Sequence, residues 1–88
     1  MKVIFRRSFA KDLKKIRRKA LRQEIQAVLE QIEQSATVYE LPNVKHLTSE
    51  GPYYCVRIGD YRLGLLVEED TVTIVRFLHR RDIYRYFP

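Results

Sequence analysis

The 88 residues suffice for one domain with one modest core, which places any active site on the surface or in a shallow cleft. A single cysteine excludes an intrachain disulfide and a cysteine-rich zinc site, and the apolar run Val3 to Phe5 is too short for a signal peptide, so a cytoplasmic protein without a membrane partner is expected. The net charge of +6 is unevenly spread: Lys2 to Arg22 holds ten bases against Asp12 alone, whereas Gln23 to Glu50 holds five glutamates against Lys45. Such a field attracts polyanions through counterion release, yet it also serves solubility or an acidic protein partner, and charge alone does not choose between them.

In chain order, "KVIFR" at Lys2 to Arg6 predicts a short strand, and Ser8 is a candidate N-cap for the helix that follows. Phe9, Leu13, Ile16 and Ala20 lie at helical spacing, continued by Leu21, Ile25, Val28, Leu29 and Ile32. One unbroken helix of that length would span about 40 Å, too long for so small a domain, so a helical hairpin bending near Arg18 to Arg22 is expected. "SATVYELPNVKHLTSEGP" loses the period and reads as a connection. "YYCVRI", "YRLGLLVE" and "TVTIVRFLH" then read as three strands of an antiparallel meander, joined through "GD" and "EED". The expected fold is a single α+β domain over residues 1–88, in the order β-α-α-β-β-β, with the helical hairpin on one face of a small, mostly antiparallel sheet.

With Gly59 and Asp60 as the loop of the first hairpin, Val56 faces Leu63, Cys55 faces Gly64, and Arg57 faces Arg62. Tyr54, Val56 and Ile58 then share a core face with Tyr61, Leu63, Leu65 and Val67, and the two arginines meet on the other face. Like charges directly opposite are destabilising unless an anion sits between them, both guanidinium groups bend away into water, or carboxylates such as Asp60 or Glu50 neutralise them. Gly64, inside a strand, marks a close approach by a ligand or another backbone. The second hairpin admits two registers: a two-residue turn at Glu69 and Asp70 leaves Arg76 on the apolar face, and a three-residue turn sets Arg62 opposite Arg76.

"RIGDYRL" at Arg57 to Leu63 and "HRRDIYR" at His79 to Arg85 together resemble the RelE/ParE superfamily of toxins from type II toxin–antitoxin modules, on the RelE-like side. The resemblance covers Tyr53 to Arg85 and implies a ribosome-dependent mRNA endoribonuclease in which a 2′-hydroxyl attacks the adjoining phosphate. It also implies an antitoxin as partner, the ribosome and mRNA as targets, and contact with operator DNA only through the antitoxin. The arginines of the RelE site fall on Arg62 and Arg80, and the basic pair of the preceding strand on Cys55 and Arg57, so one of two charges is missing there. The C-terminal tyrosine of the family matches Tyr84 or Tyr86. A ParE-like gyrase inhibitor, or an inactive toxin acting as a DNA-binding corepressor, is the alternative.

The reaction needs proton transfer at two oxygens and positive charge on the phosphate. Arg57, Arg62 and Arg80 form the expected phosphate clamp, since guanidinium stays charged and offers forked donors. His79 is the candidate acid or base, with His46 a distant second, and Tyr84 and Tyr86 are candidates for proton donation or base stacking. The neighbouring bases Lys45, Arg76, Arg81 and Arg85 are expected RNA contacts. Cys55 lacks an oriented base and is not expected to act as a nucleophile, and no motif calls for a cofactor or a metal.

Overall fold

The computed structural model describes residues 1–47 and 51–88. In chain order the elements are β1 (Lys2–Phe5), α1 (Arg7–Lys14), α2 (Lys19–Gln34), a 3-10 turn at Val38–Glu40, β2 (Val44–His46), β3 (Tyr53–Ile58), β4 (Tyr61–Glu68), β5 (Thr71–His79) and α3 (Ile83–Tyr86). The strands form a five-stranded sheet in the order β1-β5-β4-β3-β2, antiparallel except for β1, which runs parallel to β5. The expected order holds, with β2, the 3-10 turn and α3 added to it. Strand β2 falls within the segment read as a connection, and α3 follows the last expected strand.

The helical hairpin bends at Lys15 to Arg18, earlier than expected, without glycine or proline. The cause is tertiary: Ile16 turns into the core, and Arg22 reaches back across the bend to donate to the carbonyls of Ile16 (2.6 Å) and Leu13 (2.9 Å). Ser8 lies inside α1 and donates through Oγ to the Val75 carbonyl, while Arg6 takes the N-cap position. Phe9, Leu21, Ile25 and Ile32 bury the helical hairpin against Val56, Leu63, Leu65, Val72, Ile74 and Phe77.

The second hairpin begins in the first of its two expected registers and then leaves it for one that was not expected; the Arg62–Arg76 pairing does not form, and Arg62 faces Leu78. The turn is the two-residue one, pairing Val67 with Val72 and Leu65 with Ile74, but a bulge at Val75 then shifts the ladder so that Gly64 faces Arg76, Leu63 faces Phe77 and Tyr61 faces His79. One extra residue reverses the alternation. Phe77 thereby enters the core, where it stacks on Tyr61 at 5.0 Å, and Arg76 leaves the apolar face. Beyond Ile74, β5 has no strand on its β1 side, and α1 completes that edge: Asp12 accepts from Phe77 N at 2.9 Å and from Arg76 Nε and Nη2 at 2.7 and 3.0 Å.

A second, smaller core lies on the opposite face of the sheet. Ile83 and Phe87 pack on Cys55, flanked by Tyr53, Val75 and Leu78. The close approach marked by Gly64 belongs to the chain itself: a Cβ there would come within 3.0 Å of three atoms of the Phe87 ring.

Candidate functional site: a cationic cleft at the end of the sheet

The first hairpin has the expected register, with Arg57 opposite Arg62 and Cys55 opposite Gly64. Gly59, at φ 59°, takes the left-handed position that lets a two-residue loop follow the twist of its strands. Arg62 Nη1 folds back to donate to the carbonyls of Gly59 (3.0 Å) and Tyr61 (2.9 Å), which fixes its guanidinium beside the turn. Arg80, just past β5, donates its backbone N–H to Asp60 O at 2.8 Å and so joins the same corner.

Asn43 organises the other side. It precedes β2 at φ 61°, a conformation that asparagine tolerates better than most residues, and its carbonyl accepts from Arg57 N at 3.0 Å while its Oδ1 accepts from Arg57 Nη2 at 3.3 Å. Sequence reasoning passed over Asn43. The "PN" pair marks a turn, but the link to Arg57 spans fourteen residues and leaves no local trace.

Two adjoining hollows result. One, of about 580 Å3, is lined by Arg57, Arg62 and Arg80 together with Asn43, Asp60 and Glu24 of α2. The other, of about 400 Å3, is lined by Lys45, Arg57, Arg62, Tyr84, Asn43 and Cys55. Among the described residues the one ion pair is Asp12–Arg76, so no carboxylate there is salt-bridged to the clamp arginines. Glu50, one of the carboxylates considered for that role, lies outside the described residues.

The structure therefore brings Arg57, Arg62, Arg80, Lys45 and Tyr84 together, and sets the other candidates elsewhere. His79 faces Tyr61, on the side of the sheet away from the arginine pair, because the bulge shifts the end of β5 by one residue. Its ring meets Tyr61 edge-on at 5.5 Å, and its Nδ1 accepts from Arg81 N at 3.2 Å. Arg76 is tied to Asp12 and lies over the Tyr86 ring at 5.8 Å, so neither Arg76 nor Tyr86 reaches the hollows. Arg81 and Arg85 are exposed and line neither hollow. His46 stacks on Tyr54 at 4.4 Å, on the helical side. Burial pushes the Cys55 thiol up to about 11 against the opposing pull of Arg62 and Lys45, so it stays protonated at neutral pH and is no nucleophile.

Comparison with known proteins places the chain in a family. The profile of the ParE toxin of the type II toxin-antitoxin system parDE matches residues 3–84. Toxin RelE3 of Methanocaldococcus jannaschii is 38% identical over 89 residues, which span 100% of both chains. The chain belongs to the RelE/ParE superfamily of type II toxins. A chain of the RelB-RelE antitoxin-toxin complex from Methanococcus jannaschii superposes on the toxin with a TM-score of 0.80 at 34% identity, covering 97% of this chain and 99% of that one. A chain of the archaeal RelE-RelB complex from Pyrococcus horikoshii OT3 shares the fold at a TM-score of 0.74 and 23% identity, covering 90% and 93%.

Proposed function

We propose that this toxin is an endoribonuclease that cuts messenger RNA on the ribosome, that residues 1–88 form the single domain that carries the activity, and that a cognate antitoxin restrains it in the cytoplasm. The observation that carries the reading is the meeting of Arg57 and Arg62 across one hairpin, with Arg80 drawn to the same corner. Two like charges at opposite positions of one hairpin are a cost to the fold even with Arg62 turned to the loop carbonyls and Arg57 to Asn43, and a phosphate bound by both would offset it. In the reaction the 2′-oxygen bonds to phosphorus as the bond to the 5′-oxygen breaks, leaving a 2′,3′-cyclic phosphate and a 5′-hydroxyl. The arginines neutralise the charge that accumulates on the non-bridging oxygens. With His79 on the other face, the groups at hand for proton transfer are the Tyr84 phenol, the Lys45 ammonium and the carboxylates Glu24 and Asp60, which line the two hollows. Among the described residues no helix is long and apolar enough to cross a membrane, which agrees with a site reached from the aqueous phase.

The test is to add purified toxin to ribosomes programmed with a defined message and to map new 3′ ends. Cleavage at discrete positions, lost in Arg62→Ala, is the expected result. A second reading, a non-nucleolytic inhibitor of DNA gyrase, draws support from the match to the ParE profile and from the absence of a histidine from both hollows. Intact messages together with blocked supercoiling would decide for it.

A further inference from the structure

We propose that Lys45, on the edge strand β2, places its ammonium on the scissile phosphate beside the Arg57–Arg62 pair. The inference rests on the nuclease reading above and deepens it by naming a further catalytic residue.

The sheet register carries the argument. Lys45 lies directly opposite Cys55, and Arg57 lies directly opposite Arg62, so the three cations occupy one face of three adjacent strands. Residues diagonal across an antiparallel pair have Cβ atoms about 7 Å apart, which puts an extended lysine within reach of an anion held at Arg57. The shared hollow confirms the convergence, because Lys45, Cys55, Arg57, Arg62 and Tyr84 all line it. Both Lys45 and Arg62 pull on the Cys55 thiol, so both charges lie near that residue. Cys55 itself is covered by Ile83 and Phe87 and brings no charge to the hollow, which Lys45 flanks from β2. Asn43, two residues before Lys45, is bonded to Arg57 through both its carbonyl and its side chain, which ties the start of β2 to the clamp.

The competing role for an exposed lysine on a short edge strand is to discourage pairing with another sheet. Cleavage kinetics separate the two. Wild type, Lys45→Ala, Lys45→Arg and, as an equal charge change on the far edge of the sheet, Lys2→Ala are assayed on programmed ribosomes under single-turnover conditions, with thermal melting in parallel. We expect Lys45→Ala to cleave about 10- to 100-fold more slowly with an unchanged melting temperature, Lys45→Arg to stay within about fivefold of wild type, and Lys2→Ala to match it. Cleavage by Lys45→Ala at the rate of Lys2→Ala overturns the proposal and leaves Lys45 as edge protection. If the wild type does not cleave at all, the nuclease reading fails on its own, and Lys45 is judged by titration with a short RNA carrying a 2′-deoxy residue at one position, followed by NMR. Shifts at Arg57 and Arg62 that weaken at least tenfold in Lys45→Ala keep Lys45 at the phosphate site, and unaltered shifts remove it.

Discussion

Replacing Asp12 with alanine should be the most damaging single change to the fold outside the main apolar core. Its carboxylate is 5% exposed and accepts three hydrogen bonds, two from the Arg76 guanidinium and one from the Phe77 amide. Without it, Phe77 N–H is a buried donor with no partner, at a cost of about 1–3 kcal/mol. Arg76 also loses its counter-ion; breaking a buried pair costs about 3–5 kcal/mol, but the guanidinium side chain is 25% exposed and water recovers part of that. A net loss of about 3–4 kcal/mol is expected, against a total stability of roughly 4–13 kcal/mol for a chain of this size. At about 4–8 °C per kcal/mol the melting temperature should fall by roughly 12–30 °C, read by circular dichroism or calorimetry. Asp12→Asn keeps an acceptor for Phe77 N–H and should lose about half as much. A melting temperature of Asp12→Ala within about 4 °C of wild type would refute the argument, because the amide of Phe77 would then have found another partner and the bulge would not depend on α1.

Arg62→Ala should lower mRNA cleavage about a hundredfold or more, the worth of roughly 3 kcal/mol of transition-state stabilisation, while stability holds as its repulsion with Arg57 disappears; an unfolded variant at ordinary temperature would make Arg62 structural instead. The fold keeps the Cys55 thiol protonated up to about 11 where an unfolded thiol ionises near 9.0, so its contribution is intact below pH 9 and is lost as pH rises through 11. Denaturant unfolding at pH 7.5 and pH 10.5 should therefore show a fall, up to roughly 2 kcal/mol, that Cys55→Ala lacks, and equal slopes for the two proteins would count against it. Gly64→Ala pushes a methyl group against the Phe87 ring and should cost about 1–2 kcal/mol, recovered in part by adding Phe87→Leu; melting like wild type would mean that the tail moves aside freely.

The first hairpin was legible because its information is local: "GD" dictates a two-residue loop, the loop dictates the register, and alternation then assigns each side chain to a face. The second hairpin was not, although its turn reads as clearly. The bulge at Val75 depends on Ser8 and Asp12 standing where a strand would otherwise be, more than sixty residues away in sequence. That one residue decides the fate of His79 and Arg76, which the sequence offers as site residues and the fold assigns to Tyr61 and Asp12. Strand β2 was hidden for a similar reason. Val44, Lys45 and His46 are too few to show a period, and they are a strand only because the edge of β3 is there to receive them.

The tail carries two candidate tyrosines, and packing chooses between them. Ile83 and Phe87 are four residues apart and both buried against Cys55, so they define the inward stripe of the last helical turn, closed by Phe87 N donating to Ile83 O at 2.8 Å. At about 100° per residue, Tyr84 projects to one side of that stripe and Tyr86 to the other. Both are more than half exposed, yet their surroundings differ: Tyr84 opens onto the hollow with Lys45, Arg57 and Arg62, while Tyr86 lies under Arg76, whose guanidinium is paired with Asp12. The tail reaches the site only at its first turn, because Cys55 and Gly64 are apolar enough to be covered, whereas the next pair on the same face toward the turn, Arg57 and Arg62, is not. The boundary between the second core and the cationic cleft is thus set by two residue pairs two positions apart. Tyr84 stands at that boundary, where a phenol can meet both the protein and a bound phosphate chain.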